Sequence, residues 1–251
     1  MKYRIIATEE GGDTSRMFER LGIKYKYVAC SCCKDKFSCD NIIYYKCKGE
    51  HGSNIARKNA LKEKGVAVFD DDYSALVYGG MASSDIKSKI HKDPQKVEYI
   101  LKSMKKLEDT NKKIIMGGYS AGALHGTKNR FTKNIMQIFF DGKIEKFFRD
   151  ESDLYRLNDD VCACIRAYKR GFLCVGSWSI MRAVQTPELV DNTNRYDSKS
   201  FAKSFLPILY APTAAKVGWV KESKLSNGVV RPGRYHHLIQ WAKIMPKIVE
   251  N

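Results

Sequence analysis

Val66-Ala67-Val68-Phe69, four apolar residues in a row that run directly into Asp70-Asp71-Asp72, constrain this chain more than any other feature. A strand apolar at every position has both faces covered, the situation of a central strand in a parallel sheet flanked by helices. The flanking sequence has the same character. Residues 3–8, 26–30 and 41–47 are short runs rich in β-branched and aromatic residues and are predicted as strands. Residues 13–22 and 54–64 have helical spacing; Ser53 stands as a cap for the second, and Gly22 and Gly65 close the two.

The pattern continues beyond the aspartates. Val97, Ile100, Leu101, Met104 and Leu107 recur at spacings of three and four within residues 85–113, which predicts a surface helix. Ile114-Ile115-Met116 is a predicted strand, the small residues Gly117 to Ala123 a flexible loop, and residues 135–142 a strand leading to a turn. A helix over 159–169 and a strand over 172–176 follow, and Arg231 to His237 is predicted as a loop beside a short final helix. Alternating strands and helices predict an α/β fold with a mostly parallel central sheet and an irregular C-terminal part. At 251 residues one domain spanning 1–251 is expected.

Lys and Arg outnumber Asp and Glu by 44 to 28, a net charge of +16, which favours polyanionic partners; a lysine-rich source genome is the plainer account. The 43% hydrophobic fraction excludes disorder. No apolar run reaches membrane-spanning length and no signal sequence follows Met1, so a cytoplasmic protein without membrane association is expected. The eight cysteines then read as reduced thiols. A zinc site among Cys30, Cys32, Cys33, Cys39 and Cys47 is disfavoured because they form no pair of Cys-x-x-Cys knuckles.

Consecutive aspartates at the end of a parallel strand put carboxylates at the sheet edge where open α/β folds bind ligands. Three such groups repel one another unless a cation lies among them, and a hard divalent ion such as Mn²⁺ or Mg²⁺ takes oxygen ligands and keeps positions for a diphosphate. A solvated acidic turn is the alternative. A second acidic pair, Asp159-Asp160, opens the 159–169 helix, where the dipole stabilises carboxylates, either as a plain cap or as a base for an acceptor hydroxyl.

The segment Ile55-Ala56-Arg57-Lys58-Asn59-Ala60, followed by a strand closing on Asp70-Asp71-Asp72, resembles the signature of GT-A (Rossmann-like) glycosyltransferases. Asp159-Asp160 opening a helix that ends in Lys169-Arg170-Gly171-Phe172 is similar to the family's second motif, with Asp-Asp replacing Glu-Asp. The resemblance covers about residues 1 to 175. It implies a sugar-nucleotide half, 1–115, and an acceptor half, 116–251. Asp70 and Asp71 would contact the nucleotide, Asp72 with Asp70 the metal, and Arg57 would face the phosphates or hold the Asp loop. Gly117 and Gly118 would approach donor or acceptor, His236 or His237 would add a metal ligand, and Asp160, with Asp159 second, would be the base. A UDP-sugar is the favoured donor. The basic charge makes the chain similar to small viral transferases that glycosylate hydroxymethylated pyrimidines in double-stranded DNA, acting for a virus in the host cytoplasm. Tyr119, Arg130, Trp178, Arg182, Arg195, Tyr196, Trp219 and Arg234 are candidates for gripping DNA. A transferase of capsid or cell-surface glycans and a non-catalytic basic nucleic-acid-binding module are the alternatives.

Overall fold

The computed structural model describes residues 1–46, 53–79, 89–120, 137–148, 158–183, 200–224, 230–231 and 233–246. Cys47, residues 85–88, residues 121–123, Arg130, residues 135–136, Arg195, Tyr196 and Pro232, all named or spanned above, lie outside them, as does the side chain of Tyr119.

The chain forms an α/β fold. In order come β1 (Lys2–Ile6), α1 (Asp13–Arg20), β2 (Lys26–Cys30), β3 (Ile42–Tyr45), α2 (Ser53–Leu61), β4 (Val66–Asp70), β5 (Ala75–Val77), α3 (Pro94–Thr110), β6 (Ile114–Ser120) and β7 (Ile138–Phe140). Then follow α4 (Asp159–Lys169), β8 (Leu173–Ala183), α5 (Ser200–Tyr210), β9 (Ala215–Val220), β10 (Ser223–Lys224), β11 (Val230–Arg231) and β12 (Arg234–Ile239). The central sheet has eight strands in the order β3-β2-β1-β4-β7-β6-β8-β5. It is mostly parallel: β7 runs opposite to β4 and β6, and β5 opposite to β8.

Both faces of this sheet are covered. Val66 and Val68 of β4 pack with Ala56, Ala60 and Leu61 of α2 and Val161, Cys164 and Ile165 of α4. Ala67 and Phe69 pack on the other face with Met17 and Phe18 of α1 and Val97, Leu101 and Met104 of α3. That two-sided burial is why β4 has no polar position before Asp70. The first strands are laid to one side, β1 to β3, and β4 then pairs with the other edge of β1. The strand order therefore reverses between β1 and β4, and Asp70 ends the strand at that switch point.

Several sequence expectations need correction. The 85–113 helix begins at Pro94, because Asp93 caps it, its side chain accepting from the Gln95 amide at 2.8 Å. Leu107 is exposed, and Glu108 is buried instead. Gly117 and Gly118 lie within β6 rather than in a loop; a Cβ on Gly118 would come within 2.6 Å of Ile138 in the neighbouring β7, so glycine permits close strand packing. His236 and His237 are in β12, paired with β9, not in a loop, since that strand is made by a distant partner and not by local propensity. The final helix is a short 3-10 turn, Trp241–Lys243. Cys30 and Cys32 are joined as a disulfide, because the chain turns at the end of β2 and brings their Cα atoms to 5.3 Å. Cys39, Cys162, Cys164 and Cys174 are free thiols.

Candidate active site

The loop after β1 and the end of β4 build the floor of the site. The Thr14 hydroxyl donates to the Asp70 carbonyl at 2.5 Å and accepts from the Tyr73 amide at 2.9 Å, while the Thr14 amide donates to the Asp71 carbonyl at 3.0 Å. Gly12 lies against the same loop; a Cβ there would come within 2.7 Å of the Asp71 carbonyl oxygen. The N-terminus of α1 is thus clamped onto the aspartate turn.

Arg57 projects from α2 into the sheet edge and is buried. One of its terminal nitrogens donates to Asp70 and the other to Asp159, and the guanidinium lies 5.8 Å from the Phe139 ring centroid. Burial opposes its charge, but Asp159, Asp70 and Asp160 together raise its pKa well above the ordinary arginine value. Of the two roles expected for Arg57, its bond to Asp70 matches holding the Asp loop.

The second acidic pair meets the first. Asn158, in the left-handed conformation at φ 61°, precedes α4 and starts the helix at Asp159. The helix closes as the sequence motif suggests: Gly171, at φ +75°, donates to the Tyr168 carbonyl and Phe172 to that of Ala167. Burial pushes the Asp159 carboxyl up, with Arg57 pulling it down. Asp160 instead accepts from the Gln137 side chain at 2.5 Å. Gln137 is tied back in turn: its carbonyl accepts from the Tyr73 hydroxyl at 2.5 Å, and its amide donates to the Gly118 carbonyl at 2.8 Å. Two connections therefore join the acidic motifs, one through Arg57 and one through Tyr73 and Gln137.

At the outer edge, the Arg182 Nη1 lies 3.1 and 3.2 Å from the two Asp72 oxygens, and its guanidinium stands 5.1 Å from the Tyr73 ring centroid. Asp71 is pushed up to about 6 by burial and by the charges of Asp70 and Asp72. Desolvation raises Asp72 as well, Arg182 pulling the other way. The turn carries more negative charge than its two arginines offset. Its donors are all carboxylate oxygens, the chemistry a hard divalent cation selects.

His237 lies beside the second motif, its Nδ1 3.2 Å from the Asn158 side-chain nitrogen, with the His236 ring centroid 4.4 Å from its own. Among the described residues no three His, Cys, Asp or Glu side chains converge on one point, so the expected union of a C-terminal histidine with Asp70 and Asp72 is not formed there.

No protein-family model, curated protein or solved structure matches this chain. Among the described residues no helix is long and apolar enough to cross a membrane.

Sequence reasoning missed Thr14 and Gln137 and placed Arg182 in another role. Gln137 stands in the apolar run Ile135-Met136-Gln137-Ile138-Phe139-Phe140, which gives no local sign that it faces an acid 23 positions away. Thr14 at the second position of α1 was the more accessible signal, since a hydroxyl there is available to the turn that faces the helix.

Proposed function

We propose that the protein is a metal-dependent glycosyltransferase of the GT-A type, moving a sugar from a nucleotide diphosphate sugar, a UDP-sugar first, to a hydroxymethylated pyrimidine in double-stranded DNA. The observation that carries this is convergence: the Asp70–Asp72 turn and the Asp159–Asp160 pair, separated by some ninety residues, are held together by Arg57. Their position at the carboxyl end of β4, where the strand order reverses, supports a nucleotide site there. The basic charge supports a polyanionic acceptor.

Asp72 and Asp70 would hold Mn²⁺ or Mg²⁺, which, when bound, supplies counter-charge for the leaving diphosphate. Such ions keep open positions and are commonly bound through one or two carboxylates plus substrate phosphates, in keeping with the small protein ligand set. The protein's own groups do the rest. Asp71 and the turn packed on Gly12 would face the donor, and Arg57 fixes Asp70 and Asp159 in place. As the acceptor oxygen bonds to the anomeric carbon, its proton passes to an Asp160 oxygen, and the sugar–phosphate bond breaks with its electron pair on the diphosphate. Gln137 orients Asp160 for this. Asp159, engaged by Arg57, is a positioning residue.

The test is transfer of labelled glucose from UDP-glucose to a duplex containing hydroxymethylpyrimidine, with Mn²⁺ present. Asp160→Asn is expected to lower the rate by about 100-fold or more while leaving the melting temperature unchanged. Transfer by the variant at the wild-type rate would remove Asp160 as base, and absence of transfer from every nucleotide sugar would contradict the activity.

A further inference from the structure

The two-stranded ribbon of β9 and β12 carries an aromatic pair that the site so far does not use. Trp219 and Tyr235 are 57% and 45% exposed, yet they are ordered against each other, ring centroids 5.1 Å apart and planes at 77°. The indole lies across Gly233, where a Cβ would come within 2.5 Å of the Trp219 ring, and the Tyr235 carbonyl accepts from the Ser204 hydroxyl of α5 at 2.8 Å. Two large aromatic surfaces are thus held rigidly in solvent, which costs hydrophobic free energy unless a ligand covers them.

Register connects this pair to the candidate site. Trp219 is directly opposite Tyr235, and Val217 directly opposite His237, so all four share one face of the ribbon. Tyr235 is two residues from His237, about 7 Å along the strand. His237 in turn contacts Asn158, immediately before Asp159 and Asp160. The aromatic shelf begins one residue pair from the acidic motif. The segment joining the two strands, residues 221–233, carries Lys221, Lys224 and Arg231 against Glu222 alone, while Lys216 and Arg234 alternate onto the ribbon's other face.

We infer that Trp219 and Tyr235 form a stacking shelf for an unstacked nucleobase of a nucleic-acid strand whose phosphates are met by the basic residues of the segment that joins β9 to β12. A planar, charge-poor ring on a polyanionic backbone matches exposed aromatics set among cations. Naming this surface as the acceptor's docking place rests on the proposed transferase; binding of the strand itself does not. A base brought to the shelf would lie beside the acid pair, and taking a base out of the duplex is what chemistry on its edge requires.

The test measures anisotropy of a fluorescein-labelled single-stranded pyrimidine oligonucleotide, and of a duplex with one unpaired pyrimidine, on the full chain. Trp219→Ala is expected to weaken oligonucleotide binding about ten-fold and to abolish preference for the unpaired site, with Trp219→Phe restoring most of both. The salt dependence should stay unchanged, since no phosphate contact is lost. Equal binding by wild type and Trp219→Ala, or no binding by wild type, overturns the shelf. Calorimetry of UDP with Mn²⁺ on the same proteins separates the two ideas. Intact UDP binding with an unaffected oligonucleotide affinity sinks the shelf alone, whereas absent UDP binding with a ten-fold Trp219 effect sinks the transferase and leaves the shelf.

Discussion

Arg57 and Arg182 each hold an aspartate of the same short turn, and they do so in opposite surroundings. Arg57 and its partner Asp159 have side chains only 7% and 9% exposed, and the guanidinium spans two carboxylates from different elements. Arg182 reaches an Asp72 whose side chain is 53% exposed, through one nitrogen. The inner pair cannot separate without leaving charge in a place water does not reach, while the outer pair exchanges its partner for water at small cost. The difference separates the two: the inner arginine fixes the frame, and the outer one holds an Asp72 that still faces solvent.

Removing the inner cation has the largest expected effect. Arg57→Met leaves Asp70 and Asp159 uncompensated and is expected to cost about 3–5 kcal/mol of unfolding free energy in urea denaturation. A loss below about 1 kcal/mol would mean the bridge is as exchangeable as the outer one.

Glu108 shows a buried carboxylate without an arginine. It accepts from the Met116 amide at 2.8 Å and has Lys105 Nζ at 3.5 Å, and burial pushes it from 4.5 up to about 7. The folded protein therefore keeps a proton that the unfolded chain releases near pH 4.5, so this group's contribution to stability falls as pH rises from 4.5 through 7. Glu108→Gln is expected to be more stable than wild type by about 1–3 kcal/mol at pH 8, the gap closing toward pH 4.5. A gap that is constant with pH would contradict the assignment. The smallest effect belongs to the outer bridge. Arg182→Ala is expected to change stability by about 1 kcal/mol or less, and a loss comparable to that of Arg57→Met would erase the distinction.

How much of this was legible in the sequence follows the same division between local and distant. The β1 to β4 order could be read because each element carries its own periodicity, as in the unbroken apolar run of Val66 to Phe69 and the helix stops at Gly22 and Gly171. Helix 159–169 was legible to the residue. β5 is three residues long, and β12 depends on β9, so neither carries an independent signal. Within the site, Asp70–Asp72 and Arg57 were visible as motifs. Their pairing with Asp159, the Gln137 contact to Asp160 and the Arg182 contact to Asp72 are products of the sheet order, which brings β7 and β8 across to strands far earlier in the chain.

In the function we propose, the exposed end of the aspartate turn binds a nucleotide diphosphate through a divalent cation. Isothermal calorimetry of UDP with wild type and Asp72→Ala, with and without Mn²⁺, decides it. Binding by wild type that requires Mn²⁺ and is lost in a folded Asp72→Ala protein is the predicted result. Binding that ignores both Mn²⁺ and Asp72, or no binding of UDP or GDP by wild type, would contradict it.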